Sequence, residues 1–253
     1  MTMKQRIIFL AMLCAWCLCI SAQVKVVAHR GYWKTSGSAQ NSLASLIKAD
    51  SIGCFGSEFD VWLTADGKLV VDHDKTFKGM NMEENTLKEI RTIKLDNGET
   101  LPTLDEYLRC AQKQTTLRLV LEMKPLSTLY REDEAVKKIV KALKKYKLLD
   151  RTDIISFSIN ACIQFKKALP DTKIYYLNGD LWPYRIKALG LAGIDYSMSD
   201  FQKHPEWIKE AHEQGLEVNV WTVDKEEDLR YFISQGVDYI TTNEPELLQR
   251  LLK

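Results

Sequence analysis

One strand organises this sequence, SEFDVWL at residues 57–63, and the same segment continues to VVDHD at residues 70–74. Residues two apart in an extended chain point the same way, so Glu58 and Asp60 converge on one face. Two unit charges about 4 Å apart repel by roughly 4 kcal/mol at an effective dielectric near 20. The pair therefore predicts a bound cation, and His73 just beyond it adds a group that transfers protons near neutral pH.

Short apolar strands alternate with amphipathic helices along almost the whole chain. The predicted strands are 24–28, 57–61, 117–122, 154–157, 174–177, 193–196, 217–221 and 239–241. The predicted helices are 43–52, 133–146, 161–169, 182–189, 205–214, 225–235 and 246–252. About eight strand-then-helix units indicate an α/β fold with a parallel sheet, and right-handed crossovers of that number close the sheet into a TIM (β/α)8 barrel.

The segment from about 75 to 103 interrupts this alternation. It is polar, carries Asn97-Gly98 as a turn signal, and precedes another helix. We interpret it as a short insertion after the second strand. Insertions on the carboxyl side of barrel strands commonly shape access to the site, although a surface excursion without a function fits the sequence equally well.

Polar side chains fall where the predicted strands end, which is where barrel enzymes build their active sites. His29 and Arg30 follow the first strand, Glu122 ends the third, and Trp221 ends the seventh. Three carboxylates with no thiolate form a hard oxygen site, which favours Ca²⁺ or Mg²⁺ over Zn²⁺. Because a guanidinium matches phosphate oxygens in a bidentate way, the set indicates phosphoester chemistry.

The motifs together resemble those of the glycerophosphodiester phosphodiesterases. They are, in chain order, HRG at 29–31, QNS at 40–42, EFD at 58–60, DG at 66–67, HD at 73–74, LEMK at 121–124 and WTVD at 221–224. The resemblance covers almost all of the chain after its first residues. It implies an enzyme that hydrolyses glycerophosphodiesters to glycerol 3-phosphate and an alcohol, with Glu58, Asp60 and Glu122 holding a divalent ion, often calcium.

The two histidines are the candidate proton carriers. One of His29 and His73 would take a proton from the attacking hydroxyl while the other protonates the leaving alkoxide. Arg30 and Lys124 are predicted to contact the phosphate, and Trp221 is predicted to form an apolar wall. The sequence leaves open which histidine is the acid. It also leaves open whether water displaces the alcohol directly or a substrate hydroxyl first closes a cyclic phosphate.

Two positions depart from the pattern of the family. A glutamate is usual where Gln40 stands, so the site has one negative charge fewer, and Gln40 is predicted to offer an oxygen to the substrate or cation. An aspartate is usual near Asn243, and we expect little consequence there.

Two other functions fit parts of the pattern. A phosphodiester lyase of the sphingomyelinase D or phosphatidylinositol phospholipase C kind shares the barrel and the histidine pair and would form a cyclic phosphate. The lack of a disulfide pattern favours the hydrolase.

A non-catalytic phosphoester-binding protein is the alternative from another class, but degenerate binders usually lose their proton-transfer groups first, and both histidines are present.

Residues 1–22 have the layout of a cleavable secretory signal. Lys4 and Arg6 precede an apolar run from 7 to 20, and small residues stand before Gln23. We therefore expect export to the periplasm or the cell exterior, with residues 23–253 forming the mature barrel and no stable membrane insertion after signal removal.

Charge and cysteine content limit the partners further. The formal net charge of the whole chain is +1, which indicates no nucleic-acid partner and leaves a small glycerophosphodiester as the expected one. Cys54, Cys110 and Cys162 are expected to be small buried residues rather than a disulfide framework. The oligomeric state is left open.

Overall fold

The computed structural model describes residues 23–253, and the predicted signal, residues 1–22, lies outside the described residues. The strands are β1 Lys25–Ala28, β2 Gly56–Leu63, β3 Leu69–Val71, β4 Thr76–Phe77, β5 Met80–Asn81, β6 Arg118–Met123, β7 Thr152–Ser156, β8 Ile174–Tyr176, β9 Gly193–Ser197, β10 Glu217–Trp221 and β11 Tyr239–Thr242. Eight of them are the predicted ones, and none of their ends is shifted by more than two residues.

These eight strands form a closed parallel barrel. They follow one another in the order β1, β2, β6, β7, β8, β9, β10, β11, and β11 pairs back with β1. The predicted TIM barrel is therefore confirmed. The register of β2 against β6 places Asp60 directly beside Glu122, so the site begins to assemble from the sheet itself.

Helices cover the outside of the barrel. They are α1 Leu43–Ser51, α2 Leu87–Ile90, α3 Leu104–Gln114, α4 Leu129–Tyr146, α5 Ile159–Ala168, α6 Pro183–Ala188, α7 Met198–Lys203, α8 Glu206–Glu213, α9 Glu226–Ser234 and α10 Pro245–Leu251. None of these helices combines the length and the apolar character needed to cross a membrane.

Side-chain caps explain where several helices begin. Ser42 Oγ accepts a hydrogen bond from Ser45 N at 3.0 Å, which confirms the predicted start of α1. In α4 the cap is Thr128, so the helix begins four residues before the predicted position. The short helix α7, capped by Ser197, was not predicted because six residues carry too little periodicity to recognise.

The segment predicted as an insertion folds over a small apolar cluster of its own. Strand β3 precedes it and runs antiparallel to β2, while β4 and β5 form a hairpin. Met82, Ile90, Leu95 and Leu101 pack beneath it against Trp62. The segment is therefore an ordered layer rather than a loose excursion, and it lies next to His73, which follows β3.

The three cysteines of this part of the chain are buried and unpaired, as predicted. Burial raises the pKa of the Cys54 and Cys162 thiols to about 12, so neither is a ready nucleophile.

Candidate active site

A pocket of about 90 Å³ opens at the carboxyl end of the barrel. Seven of the nine predicted site residues line it, namely His29, Arg30, Glu58, His73, Glu122, Lys124 and Trp221. The two others, Asp60 and Gln40, contact residues that do. Barrel closure thus brings together side chains that are up to about 190 residues apart in the sequence.

The three predicted carboxylates meet inside the barrel. One oxygen from each of Glu58, Asp60 and Glu122 lies within 4.8 Å of the others, and these residues are 2%, 0% and 7% exposed. Burial and the neighbouring carboxylates raise the pKa of Glu58 well above its usual value. Burial also raises the pKa of Glu122 to about 7. Bringing these acids together therefore costs free energy that a cation would recover.

Lys124 supplies part of the missing positive charge. Its Nζ lies 2.7 Å from Asp60 Oδ1 and 2.7 Å from Glu122 Oε1. Burial acts to lower the pKa of Lys124, but these two carboxylates raise it above its usual value. The ammonium in turn lowers the pKa of Asp60 against the opposing effect of burial. The predicted contact of Lys124 with a phosphate stays a prediction, since the ammonium here is held by carboxylates.

One buried carboxylate oxygen of the triad is left without a partner in residues 23–253. Glu58 Oε2 accepts from the backbone N–H of Arg30 at 2.8 Å, whereas Glu58 Oε1 has no hydrogen-bond partner among the described residues. A buried carboxylate oxygen in that state is costly unless a ligand satisfies it. The donor set, all oxygen and buried, matches a hard divalent cation.

The imidazole of His29 is held by a chain of hydrogen bonds from the opposite end of the sequence. His29 Nδ1 lies 2.9 Å from Asn243 Oδ1, which also accepts from Trp33 Nε1 at 3.0 Å. Asn243 Nδ2 donates to Asp224 Oδ2 at 2.8 Å. Because the indole can only donate and the Asp224 carboxylate can only accept, the orientation of the Asn243 amide is fixed. His29 therefore carries its proton on Nδ1, and its Nε2 presents a lone pair near Glu58, 4.0 Å away.

Arg30 is positioned by a tight turn after β1. Arg30 has a φ of 57° and Gly31 a φ of 77°, both in the left-handed region. A Cβ on Gly31 would overlap Ser45, so the turn requires glycine at this point. Arg30 Nη1 donates to Gln40 Oε1 at 2.6 Å. Gln40 thus orients the guanidinium of Arg30. This is the side-chain contact that the structure shows for Gln40.

His73 approaches the pocket from the segment after β3. Its Nδ1 lies 2.7 Å from Asp74 Oδ1, and its carbonyl oxygen accepts from Trp62 Nε1 at 3.2 Å. Burial lowers the pKa of His73, and burial together with Arg30 lowers that of His29 to about 4. With Nδ1 turned towards Asp74, Nε2 of His73 is the nitrogen left to exchange a proton.

The opposite wall of the pocket is apolar. The Trp221 ring meets Phe157 edge to face at 5.6 Å between centroids, and Ile155 and Leu177 complete this wall. Trp221 Nε1 donates to the carbonyl oxygen of Asp195 at 2.9 Å. Trp221 therefore lies in an apolar wall of this pocket, and its contact with a substrate stays a prediction.

Sequence reasoning assigned no role to Asn41, although it lies in the QNS motif. Asn41 Nδ2 donates to Asp60 Oδ2 at 2.8 Å, and Asn41 Oδ1 accepts from Asp60 N at 3.1 Å. The residue has a φ of 58°, a conformation that asparagine adopts more readily than most residues. We also expected little consequence from the asparagine at position 243. The structure instead places Asn243 in hydrogen-bond contact with His29.

Two more buried carboxyl groups, Asp72 and Asp195, adjoin the site without having been predicted. They are 6% and 1% exposed, and each has one oxygen without a hydrogen-bond partner in residues 23–253. Burial raises the pKa of each to about 7. Nothing in the local sequence separates them from surface aspartates, because their burial results from packing between distant segments.

Comparison with known proteins agrees with this geometry. The model of the glycerophosphoryl diester phosphodiesterase family matches residues 29–247. A glycerophosphodiester phosphodiesterase of Caldanaerobacter subterraneus subsp. tengcongensis is 34% identical over 244 residues, which are 90% of this chain and 97% of the relative.

Solved structures give the same result. A glycerophosphodiester phosphodiesterase from Parabacteroides distasonis superposes with a TM-score of 0.89 and 46% identity, covering 91% of this chain and 97% of that one. A phosphodiesterase from Oleispira antarctica, solved in complex with its product sn-glycerol-3-phosphate, has a TM-score of 0.78 and 28% identity over 91% of this chain and 97% of that one. The chain belongs to the glycerophosphoryl diester phosphodiesterase family.

Proposed function

We propose that this protein hydrolyses glycerophosphodiesters to glycerol 3-phosphate and an alcohol. The observation that carries the proposal is the meeting of two imidazoles, a guanidinium and a buried acidic triad around one pocket. The product named for the Oleispira antarctica relative, glycerol 3-phosphate, supports the choice of substrate.

A divalent cation, Ca²⁺ or Mg²⁺, fits the acidic triad. Glu58, Asp60 and Glu122 would hold it. In residues 23–253 the fixed cations within 4.0 Å of these carboxylates are Lys124 and Arg30, so the group keeps a net negative charge when all are ionised. When bound, such an ion withdraws charge from phosphoryl oxygens as a Lewis acid. Glu58 Oε1, which is buried and has no hydrogen-bond partner in residues 23–253, supports a positively charged ligand at this position.

His29 and His73 transfer the protons. His29 Nε2, unprotonated because Asn243 holds the proton on Nδ1, takes a proton from the attacking water as the water oxygen bonds to phosphorus. The phosphorus–oxygen bond to the alcohol breaks, and the imidazolium form of His73, whose Nδ1–H is held by Asp74, gives its Nε2 proton to the departing oxygen. The water thus ends as a phosphate hydroxyl and one alcohol leaves, while the proton passes from one histidine to the other before the next turnover.

The remaining residues bind and orient the phosphate. Arg30, fixed by Gln40, offers its guanidinium to two phosphate oxygens. Trp221 and Phe157 cover the carbon skeleton of the substrate and exclude water from one side. The Lys124 ammonium offsets part of the negative charge of the acidic triad. It also lies close enough to the triad to attract a phosphate bound there.

Release of free glycerol 3-phosphate from glycerophosphocholine and glycerophosphoethanolamine tests the proposal. We expect release by the purified protein, abolition by EDTA, and recovery on addition of Ca²⁺ or Mg²⁺. Phosphorus NMR of the reaction distinguishes hydrolysis from a lyase, because a cyclic phosphate that persists would assign the protein to the lyases. No release from either diester, with the fold intact, would refute the activity.

We also propose that residues 1–22 direct export of the protein to the periplasm or beyond. The proposal rests on the basic, apolar and small-residue order of that segment. Fractionation of cells that express the full chain, with the N-terminus of the recovered protein sequenced, tests it. A cytoplasmic protein that retains Met1 would contradict it.

A further inference from the structure

Helix α4 presents a stripe of lysines to solvent on one side of the barrel. The helix has 18 residues, Leu129–Tyr146, and is therefore about 27 Å long. Its inner side is buried against the barrel, with Ile139 and Leu143 fully covered. From residue 137 onwards the helix contains no acidic residue, and its exposed lysines, spaced three or four apart on one face, are Lys137, Lys141, Lys144 and Lys145.

Most of this positive charge is not neutralised within the chain. Two lysines of the helix have an acidic partner, namely Lys138 with Glu134 at 3.2 Å and Lys145 with Asp105 at 2.5 Å. Three others have no carboxylate within 4.0 Å in residues 23–253, and they are Lys137, Lys141 and Lys144. Because the formal net charge of the whole chain is only +1, the rest of the molecule is slightly acidic. The positive potential is therefore concentrated on this side of the protein.

A groove of about 440 Å³ runs beside the helix. Lys68 enters it from the turn before β3, and Lys141 enters it from α4. Neither ammonium has a carboxylate within 4.0 Å in the part of the chain that the structure describes. Apolar side chains also line the groove, among them Leu69, Leu104 and Ala142. Ammonium groups around a partly apolar groove suit an anionic headgroup that is attached to an apolar body.

Two exposed apolar side chains stand at the start of the same helix. Tyr130 is 79% exposed and Leu129 is 66% exposed, the highest values among the large apolar residues that the structure describes. Tyr130 lies seven residues before Lys137 and eleven before Lys141, so it belongs to the face that carries the lysines. A tyrosine, with an apolar ring and a polar hydroxyl, suits the boundary between water and lipid. Lysines and an aromatic residue on one helix face are typical of helices that bind the surface of anionic membranes.

We propose that the exposed face of α4 and the groove beside it dock the protein on a bilayer that contains anionic phospholipids. The lysines of α4 attract the phosphate groups of the lipids, Lys68 and Lys141 hold one headgroup phosphate in the groove, and Tyr130 and Leu129 enter the interface. The contact is peripheral, since none of the described helices is long and apolar enough to cross a membrane. The groove shares no lining residue with the catalytic pocket, so the inference does not rest on the proposed hydrolysis.

Co-sedimentation with lipid vesicles tests the proposal. Residues 23–253 are used, because they form the closed barrel and lack the apolar run at 7–20. We expect binding to vesicles of phosphatidylglycerol and phosphatidylcholine in equal parts, and binding about tenfold weaker or less to phosphatidylcholine alone. Raising NaCl to about 0.5 M should release most of the protein, since exposed charges are screened by salt.

Substitutions on the proposed surface should weaken this binding in proportion to what they remove. A lysine near an anionic membrane contributes about fivefold to binding, so the triple variant Lys137→Gln, Lys141→Gln and Lys144→Gln should bind about 10²-fold more weakly. Lys68→Gln should weaken binding by about fivefold, and it tests the groove separately because Lys68 lies outside α4. Tyr130→Ser should weaken binding several-fold at low and at high salt alike, because it removes an apolar contact.

Matched variants lose the same groups elsewhere on the surface. The control for the lysines is the triple variant Lys187→Gln, Lys203→Gln and Lys209→Gln, which removes exposed residues of α6, α7 and α8. The control for the tyrosine is Tyr231→Ser, at a residue of α9 that is 41% exposed. Both should bind vesicles like the wild type. All of these variants should keep the thermal stability of the wild type and its release of glycerol 3-phosphate, since the substituted side chains are exposed and none lines the catalytic pocket.

The outcomes separate docking from general charge and from the proposed activity. Absence of binding to vesicles with phosphatidylglycerol, or equal binding to neutral vesicles, overturns the inference. Binding that the α4 variant retains, or that the matched lysine variant loses equally, overturns it too. A DNA duplex bound as tightly as the vesicles, with no effect of Tyr130→Ser, would show a general polyanion site and would also overturn it. Failure to release glycerol 3-phosphate bears on the proposed hydrolysis and leaves the docking surface standing.

Discussion

The two ends of the barrel treat their carboxylates in opposite ways. At the amino end, Glu217 is bonded by Lys173 at 2.7 and 2.8 Å, by Tyr239 at 3.1 Å and by Tyr175. Burial acts to raise the pKa of Glu217, yet Lys173 and Tyr175 bring it below its usual value. At the carboxyl end, burial and like charges raise the pKa of Glu58, and one of its oxygens has no partner in residues 23–253.

The difference shows which acids stabilise the fold and which await a ligand. An acid whose pKa is lower in the folded protein than in the unfolded chain, as for Glu217, stabilises the fold when it is ionised. An acid that the chain leaves unsatisfied lowers the stability of the free protein and is retained for what it binds. The same kind of residue, at the two ends of one sheet, thus serves packing in one place and chemistry in the other.

The largest effect should come from the histidines at the carboxyl end. His29→Ala and His73→Ala each remove a proton carrier, so kcat should fall by about 10² to 10⁴-fold while the midpoint of thermal unfolding stays close to the wild type. Initial rates with glycerophosphocholine measure this. His212→Ala is the matched control. His212 is an exposed residue of α8 that pairs with Asp238, so its loss should leave turnover at the wild-type value. A near-normal rate for either active-site variant would rule out that histidine as a proton carrier.

Glu58→Gln tests whether the unsatisfied acid serves a cation. The substitution keeps the shape and removes the charge, so we expect activity to fall by about 10²-fold. The free protein should be as stable as the wild type or more so, because an unpaired buried charge is gone. Thermal unfolding with and without Ca²⁺ or Mg²⁺ checks both points. A stabilisation by the ion equal to that of the wild type would argue against a role of Glu58 in binding it.

Asn243→Ala tests the hydrogen-bond chain behind His29. Without the amide, the proton on Nδ1 is no longer fixed and the ring is free to turn, so kcat should fall by about tenfold with little change in KM. Steady-state kinetics separates the two constants. A change confined to KM would show that Asn243 acts on substrate binding instead.

Glu217→Gln is the counterpart of Glu58→Gln at the amino end. It weakens the contacts to Lys173 and the two tyrosines, so the free energy of unfolding should fall by about 1 to 2 kcal/mol, a modest value because water reaches this cluster. Activity should remain close to the wild type. Urea unfolding and initial rates measure the two quantities. Loss of activity without loss of stability would show that Glu217 serves the reaction rather than the fold.

The pH dependence of that loss has a defined sign. The pKa of Glu217 is lower in the folded state, so its contribution is complete above the usual value of 4.5 and is lost as the pH falls through the folded pKa. The stability difference between the wild type and Glu217→Gln should be constant from about pH 7 to 5 and shrink at more acid pH. A difference that grows on acidification would mean that another group dominates.

Periodicity in the sequence was sufficient for the barrel and for part of the site. The alternation of strands and helices predicted all eight barrel strands, because parallel strands buried on both faces are recognisable as apolar runs. The segment around 75–103 was recognised as a departure, but its apolar cluster was not, since Met82 and Leu101 are too far apart to form a periodic pattern. The start of α4 was placed four residues too late, and α7 was missed because six residues carry too little periodicity to recognise.

Residues with a motif were found, and residues that matter only through contact were not. Gln40, Arg30 and Trp221 were singled out from their motifs, while Asn41 and Asp72 were given no role. Asn41 matters because it meets Asp60 across the turn after β1. Asp72 lies beside His73 and is buried, with 6% of its surface exposed. Neither fact is encoded in neighbouring residues.

The sequence by itself determined that Glu58 and Asp60 share one face, because side chains in a strand alternate with a period of two whatever surrounds them. It also determined that the charged residues follow strands. Only the tertiary structure decided that Glu122 stands beside Asp60 in register and that Asn243 reaches His29 across the β1–β11 closure. Register and closure depend on packing over the whole barrel, so no local pattern contains them.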